Sequence, residues 1–479
     1  MTAAGRTEEQ QAALEALQAD IQQKRFSAAL ERSREMLTAD RVAAPVVWAL
    51  CGKALEGLQR DDEALSIYLQ GLEQFKENAR LHLYAGHART RAGQAQQAVY
   101  HFQQALRISP SLLDAYRGLL NFEAVHPDSR DAARILAVAL NGSRSEMDRA
   151  RACFLLGQIS VDAGRDDVGF TFYRRANHIV GDGFSAKQRQ YTVPASTLAI
   201  NRRYFSALQG EIQTPESCPA IIIAGLPRSG KSLVESLLAT DHSILPGGEL
   251  AFVRRFVSDL DTSRNIADLA DDLRRRAGQS PDGSPLARRY RDFARRARPG
   301  DPPRFVTDTS PANLRRIGYL SLLHPEVPIV FCRRNPLDLA VALYFKHFKT
   351  GHAYSYSLGT IGKAIARSEL LMAHWLRELP NPMATIHYES LSKDPAGALQ
   401  GLARDLGLDM ANGHPIPTAP GDHTSARDSE WRLFTSRSID SHGSIRPDLI
   451  GFGERFQQQM QAAIHAYEEE YANVPRVDV

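Results

Sequence analysis

Ala220–Ala239 reads AIIIAGLPRSGKSLVESLLA. AIIIAG is a short apolar run rich in β-branched residues, and LVESLLA is helix-like. Between them lies GLPRSGKS, Gly225–Ser232. Strand, glycine loop and helix in that order form the setting of a phosphate-binding loop. Gly225 and Gly230 let the chain turn where a Cβ would clash. Inward-pointing N–H groups and the positive end of the following helix then make an anion site. Arg228 and Lys231 add full charges, while Ser229 and Ser232 add hydroxyls.

Working outward, similar runs recur: RFVTD (Arg304–Asp308), PIVFCR (Pro328–Arg333) and MATIHYE (Met383–Glu389). Each is bounded by Pro, Gly or polar residues and followed by a longer amphipathic stretch. Continuous apolar strands alternating with helices predict a parallel sheet covered on both faces. Asp182–Thr214 reads as linking helices. Arg254–Arg298 reads as helical, its many arginines offset by aspartates, and a solvated face is expected there rather than an anion-binding patch.

The first 180 residues or so have a different grammar. Gly52 and Gly86, Ala64 and Ala98, and Tyr68 and Phe102 are each 34 residues apart, the tetratricopeptide period. Tyr116, Leu119, Ala132 and Ala139 keep the phase. Leu156, Gly157, Tyr173 and Ala176 keep it after a short insertion, and Leu14–Leu37 is a weaker unit. Small residues are expected where two antiparallel helices touch, and large ones in the gap to the neighbouring pair. The resemblance to tetratricopeptide repeats implies a concave surface that engages a peptide or protein. The expected division is a repeat solenoid over residues 9–182, linker helices over 183–216, and an α/β domain over 217–479.

Composition narrows the class. The chain has 479 residues, with 58 basic and 55 acidic side chains and a net charge of +3. So small a charge predicts no non-specific nucleic-acid binding. A hydrophobic share of 43% is that of a folded chain rather than a disordered one. Cys51, Cys153, Cys218 and Cys332 lie far apart, which fits a reducing compartment and no zinc ribbon. The polar N-terminus lacks the apolar core of a signal peptide, and no run reaches the length of a membrane span. A cytoplasmic protein is expected. Only nine of the basic residues are lysines, so Lys231 stands out.

Read literally, Gly225–Ser232 fits G-x-x-x-x-G-K-S, with Lys231 placed to touch β- and γ-phosphates. A nucleoside triphosphatase also wants an Asp at the end of a second apolar strand to organise Mg²⁺. PIVFC ends instead in Arg333-Arg334, which leaves Asp308 as the candidate. An ATP-dependent kinase or NTPase stays open as an alternative.

A longer match points elsewhere. GLPRSGKSLVESLLATDHSILPGGEL resembles the donor-binding region of sulfotransferases. It is most similar to the bacterial branch that carries tetratricopeptide repeats, and beyond it to tyrosylprotein sulfotransferases. That branch typically reads P-R-S-G-T-T, a helix, then G-E-L. The resemblance continues through DTSPANLRRIGYLSLLHPEVPIVFCRRNPLDLAVALYFKHF and HYESLSKDP, covering most of Ala220–Asp409. It implies a repeat solenoid joined to a P-loop-like α/β sulfotransferase domain with a central parallel sheet. It further implies in-line transfer of a sulfonyl group from 3′-phosphoadenosine 5′-phosphosulfate to a hydroxyl, without a metal. The acceptor suggested is a peptide or protein side chain such as tyrosine, with a carbohydrate or small metabolite left open.

The same resemblance implies roles. Arg228, with Ser229, Gly230, Lys231 and Ser232, would hold the 5′-phosphosulfate end, and Arg228 would stabilise charge on the bridging oxygen. Arg334 matches the arginine that grips the 3′-phosphate, and Tyr388 a tyrosine near the nucleotide. Arg333 is expected to face the same crevice. Glu249, in GGEL, matches the catalytic base, with His347 and His352 as alternatives.

Four departures from the family pattern are expected to matter. Lys231-Ser232 stands where Thr-Thr is usual, and Thr309 where the family has lysine. Lys231 would then supply the missing charge, and the catalytic assignment includes it beside Glu249 and Arg228. The serine that helps hold the 3′-phosphate is Ala342 here. The family's C-terminal donor loop is poorly matched by Phe434–Pro447, where Arg437 and Arg446 are the candidates. These changes keep a third reading open, a repeat scaffold with a degenerate sulfotransferase domain.

Overall fold

Rings packed on glycines build the first half of the molecule. The computed structural model describes residues 3–38, 44–58, 60–203, 205, 217–258, 284–348, 350–409 and 449–473. The described residues up to Ala176 form one compact unit, and those from Asn177 form the other. Ten helices run from Ala3 to Asp182 among the described residues. They are α1 (Ala3–Gln22), α2 (Phe26–Thr38), α3 (Pro45–Gly57), α4 (Asp61–Gln74), α5 (Ala79–Arg91), α6 (Ala95–Ile108), α7 (Leu113–Leu119), α8 (Arg130–Leu140), α9 (Glu146–Asp162) and α10 (Asp166–Asp182).

A Cβ on Gly52 of α3 would lie 2.2 Å from the Tyr68 ring of α4. One on Gly86 of α5 would lie 2.7 Å from Phe102 of α6, and one on Gly157 of α9 would lie 2.9 Å from Tyr173 of α10. Each ring follows its glycine by 16 residues, so the repeated spacing is one contact made three times. The ring therefore fills its own helix pair, not only the gap to the next. Phe102 does both, because Gly118 of α7 also meets it, at 2.5 Å. An added methyl at these glycines would overpack a buried contact, at a cost of roughly 1–3 kcal/mol.

Between α5 and α6 lies a buried pair, His82 Nδ1 and His101 Nδ1, 3.0 Å apart. His82 Nε2 sits 3.1 Å from the Lys76 carbonyl, so it donates there and its Nδ1 accepts from His101. Burial, and then the charges of His82 and Arg89, push His101 down to about 4 from 6.5. The folded state thus keeps His101 neutral where the unfolded chain takes a proton. The stability this protects is present above about 6.5 and is lost as pH falls toward 4. Thermal unfolding followed against pH is expected to show that decline, and His101→Phe is expected to flatten it. An unchanged slope would contradict the assignment.

The second unit is built on five parallel strands: β1 (Ala220–Ala224), β2 (Ile244–Leu245), β3 (Phe305–Asp308), β4 (Ile329–Arg333) and β5 (Met383–His387). Their order is β2-β3-β1-β4-β5, which puts β1 at the centre. Ile221 and Ile223 of β1 pack on Leu233, Val234, Leu237 and Leu238, while Ala220, Ile222 and Ala224 face the cluster holding Tyr290, Leu371 and Trp375. Burial on both faces explains the unbroken apolar run, each fully buried isoleucine contributing about 1.5–3 kcal/mol. The four longer strands fall on the four runs read from the sequence. β2 has only two residues and gives no such signal.

The helices that matter for the site are α11 (Lys231–Leu238), α12 (Pro336–Tyr344), α13 (Leu358–Glu378), α14 (Tyr388–Lys393) and α15 (Gln461–Ala472). Residues 183–203 pack on this second unit. Ile200 is in its core, His374 Nε2 lies 3.0 Å from the Ile200 carbonyl, and Glu378 accepts from Arg202 N–H. Of the arginine-rich stretch, helices Phe252–Ser258 and Pro285–Ala297 are seen, and residues 259–283 lie outside the described residues, as do 206–216. No helix among the described residues is long and apolar enough to cross a membrane.

Candidate phosphate-binding site

The carboxyl ends of all five strands open on one edge of the sheet, where ligands of such folds bind. Register sets who meets whom there. Ala224 pairs with Phe331 and Arg333 with His387. The next residues along are Gly225 on β1, Arg334 on β4 and Tyr388 on β5. A Cβ on Gly225 would lie 2.8 Å from the Cys332 carbonyl, so only glycine passes between β1 and β4. Gly230 has φ +99° and caps α11, and a Cβ there would press on the Tyr388 ring at 3.2 Å. Between them Arg228 holds φ +72°. A left-handed non-glycine residue costs roughly 1–2 kcal/mol, and such strain clusters at functional loops. The Arg228 side chain is exposed at the mouth.

Arg334 ties the loop to its surroundings. Its Nη1 donates to the Arg228 carbonyl at 3.3 Å and its Nη2 to the Leu449 carbonyl at 2.9 Å. The guanidinium lies 4.6 Å over the Tyr388 ring. Tyr388 is thus wedged between Gly230 and Arg334. Arg334 is only 6% exposed, yet its Nε has no partner among the described residues. Ser229 Oγ, also buried, has none either. Two buried polar atoms left unmet cost about 1–3 kcal/mol each unless a ligand meets them. The glycine cradle, the orphaned hydroxyl and the orphaned guanidinium nitrogen fit a phosphorylated ligand. Arg333, by contrast, does not turn into this crevice. Its Nη2 lies 3.4 Å from Glu369 of α13, whose other oxygen accepts from Tyr467 and Tyr471 of α15. Adjacent residues at a strand end leave on opposite faces, so the two arginines part.

Lys231 folds back over the loop. Its Nζ donates to the carbonyls of Gly225 at 3.0 Å and Leu226 at 3.3 Å, and the residue is 7% exposed. Burial pushes the ammonium down to about 8, against the pull of Cys332, Glu249, Glu235 and Asp308. The base candidate Glu249 and the phosphate-loop lysine therefore share one electrostatic neighbourhood. Glu249 itself is exposed, directly after the Gly247-Gly248 turn. Ser232 is half-buried in the first turn of α11. His352 also feels Lys231: burial first, then the Lys231 and Arg315 charges, hold it neutral down to about 4. His347 is half-buried in the coil after α12.

The departures from the family pattern can be located. Thr309 is buried, and its N–H donates to the Gly248 carbonyl at 2.9 Å. Asp308, beside it, is fully buried and takes the Tyr290 hydroxyl at 2.7 Å and the Ser310 N–H at 2.9 Å. Ala342 lies half-buried in α12. Arg437 and Arg446 lie outside the described residues. The chain beyond them returns to the site, since Leu449 meets Arg334 and Asp338 accepts from Gly451 N–H at 2.9 Å and Gly453 N–H at 2.6 Å. Asp338, Thr307 and Glu235 were not among the sequence candidates. The only signal for Glu235 was a carboxylate inside an apolar helix. Among the described residues, no three His, Cys, Asp or Glu side chains form a metal-holding group.

Residues 219–412, which hold the loop, Glu249, Arg334 and Tyr388, match the model of the sulfotransferase family. An uncharacterized protein of Aquifex aeolicus (strain VF5) is 23% identical over 377 residues, covering 75% of this chain and 47% of its own length. The chain thus spans about half the length of that relative.

Proposed function

We propose that the protein is a sulfotransferase that takes a sulfonyl group from 3′-phosphoadenosine 5′-phosphosulfate and passes it to a hydroxyl. The acceptor in this reading is a peptide or protein side chain, tyrosine being the model case, engaged by the helical first half as by a tetratricopeptide array. The observation that carries the reading is the meeting of Ser229 Oγ and Arg334 Nε, both buried and unmet, at one glycine loop inside the family match.

When bound, the donor supplies a sulfonyl group on a phosphate leaving group. The residues divide the remaining work. Loop amides and the α11 N-terminus hold the anion. Arg334 grips the 3′-phosphate, with Tyr388 backing its guanidinium. Arg228 stands at the mouth, where negative charge grows as the S–O bond breaks, and so favours the transition state over the ground state. Lys231 stands in for the lysine replaced by Thr309. Its ammonium needs only to leave two carbonyls to reach an anion in the loop. Glu249 accepts the acceptor's proton as the new O–S bond forms.

Calorimetry separates this from the literal triphosphatase reading. Binding of 3′,5′-ADP without Mg²⁺ is expected, and tight Mg-ATP binding with none of 3′,5′-ADP would overturn the proposal. Asp308 is the acid that the triphosphatase reading needs, and it is spent on Tyr290 and Ser310. The same titration should depend on pH. The Lys231 ammonium is charged below about 8 and neutral above it, so affinity is expected to fall as pH rises through that value. Lys231→Thr should bind more weakly and without that pH step. A step that persists in this variant would remove Lys231 from the donor site.

A further inference from the structure

Apart from Lys231, Glu235 is the only charged residue of α11. It lies four residues after Lys231, on the same helix face. The residue is only 9% exposed. Its Oε1 accepts the Gly248 N–H at 2.9 Å and the Thr307 hydroxyl. Thr307 Oγ1 in turn accepts the Gly247 N–H at 3.1 Å. The Gly248 carbonyl is taken by Thr309 N–H. Two successive amides and one carbonyl of the Gly247-Gly248 turn are therefore held by α11 and the end of β3. The turn has no slack: a Cβ on Gly247 would lie 2.2 Å from the Thr307 carbonyl, and Gly248 sits at φ +64°. Glu249 is the next residue.

We propose that Glu235 is a positioning residue, a buried carboxylate that clamps the Gly247-Gly248 turn to α11 and so sets where Glu249 stands against the phosphate loop. This rests on the reading of Glu249 as the base. One helix then begins at the phosphate loop and carries the clamp for the base, so donor site and base share a rigid element. A carboxylate suits the task because one oxygen takes two donors, and ionised acceptors make hydrogen bonds about twice as strong as neutral ones.

The test is amide exchange by mass spectrometry over residues 245–250 in the full chain, beside transfer kinetics. Glu235→Ala is expected to speed exchange there about tenfold or more. Exchange in β1 and β4 should stay as in wild type. It should also lower kcat with donor KM nearly unchanged, and Glu235→Gln should restore part of both. Unchanged exchange in a folded Glu235→Ala protein would overturn the proposal. Should that variant fail to fold, Thr307→Val reads the same clamp, and unchanged exchange there overturns it equally. A wild-type chain that transfers no sulfonyl group while the turn loosens as expected would sink the functional reading and leave the clamp standing.

Discussion

Glu249→Gln is expected to lower kcat by roughly 10²- to 10⁴-fold, the range for loss of a general base, with 3′,5′-ADP affinity nearly unchanged. Glutamine keeps the shape of the side chain but takes no proton. The effect should appear in kcat and kcat/KM together, because the proton moves only in the transition state. Donor affinity should hold because Glu249 stands after the Gly247-Gly248 turn and outside the phosphate loop. If His352 were the base instead, Glu249→Gln would leave most of the turnover and His352→Asn would remove it. His352 is neutral down to about 4 with Nδ1 unpartnered among the described residues, so it is chemically able to compete. Both His352 and Glu249 feel the Lys231 charge, and the two substitutions decide between them.

Arg334→Ala is expected to weaken 3′,5′-ADP binding by about 100-fold or more, since hydrogen bonds to charged groups contribute about 1.5–3 kcal/mol each and 1.4 kcal/mol is tenfold. Three losses coincide. The free Nε loses its place at the ligand, the Tyr388 ring loses its cover, and the carbonyls of Arg228 and Leu449 lose a donor. The last of these also loosens the loop and the returning C-terminal segment. Arg334→Lys should rescue little, because an ammonium is a point charge that reproduces neither the fork nor the stacking. Arg333→Ala is the control. It breaks the pair with Glu369 and is expected to act on stability without a comparable loss of nucleotide affinity.

These two arginines show what a sequence displays and what it hides. The strand, loop and α11 around Gly225–Ser232 were legible because each is local: apolar run, glycines, then helix pattern. The repeat spacing was legible because one local rule recurs at Gly52, Gly86 and Gly157, whereas the packing of each ring on its own glycine was not, since spacing alone does not say which helix a ring turns to. Arg333 and Arg334 are neighbours in sequence and part in space, because a strand end sends successive side chains to opposite faces. Glu235 and Asp338 were hidden for another reason. Thr307 lies 72 residues beyond Glu235, and Gly453 lies 115 beyond Asp338. No window of local pattern reaches across such spans. β2 was hidden by being two residues long, although it delivers the turn that carries Glu249.

The proposed lysine exchange rests on where the Lys231 side chain lies. The ammonium of Lys231 rests on loop carbonyls, within the field of Asp308, the residue before Thr309.

In the proposed function, one crevice at the strand ends holds a 3′,5′-bisphosphorylated nucleotide beside Glu249. A crystal structure with 3′,5′-ADP would decide this. The expected result is the 5′-phosphate on the amides of Gly225–Ser232 with Ser229 Oγ donating to it, and the 3′-phosphate on Arg334 with Nε engaged. A nucleotide seated away from Ser229 and Arg334 would overturn this assignment of the site.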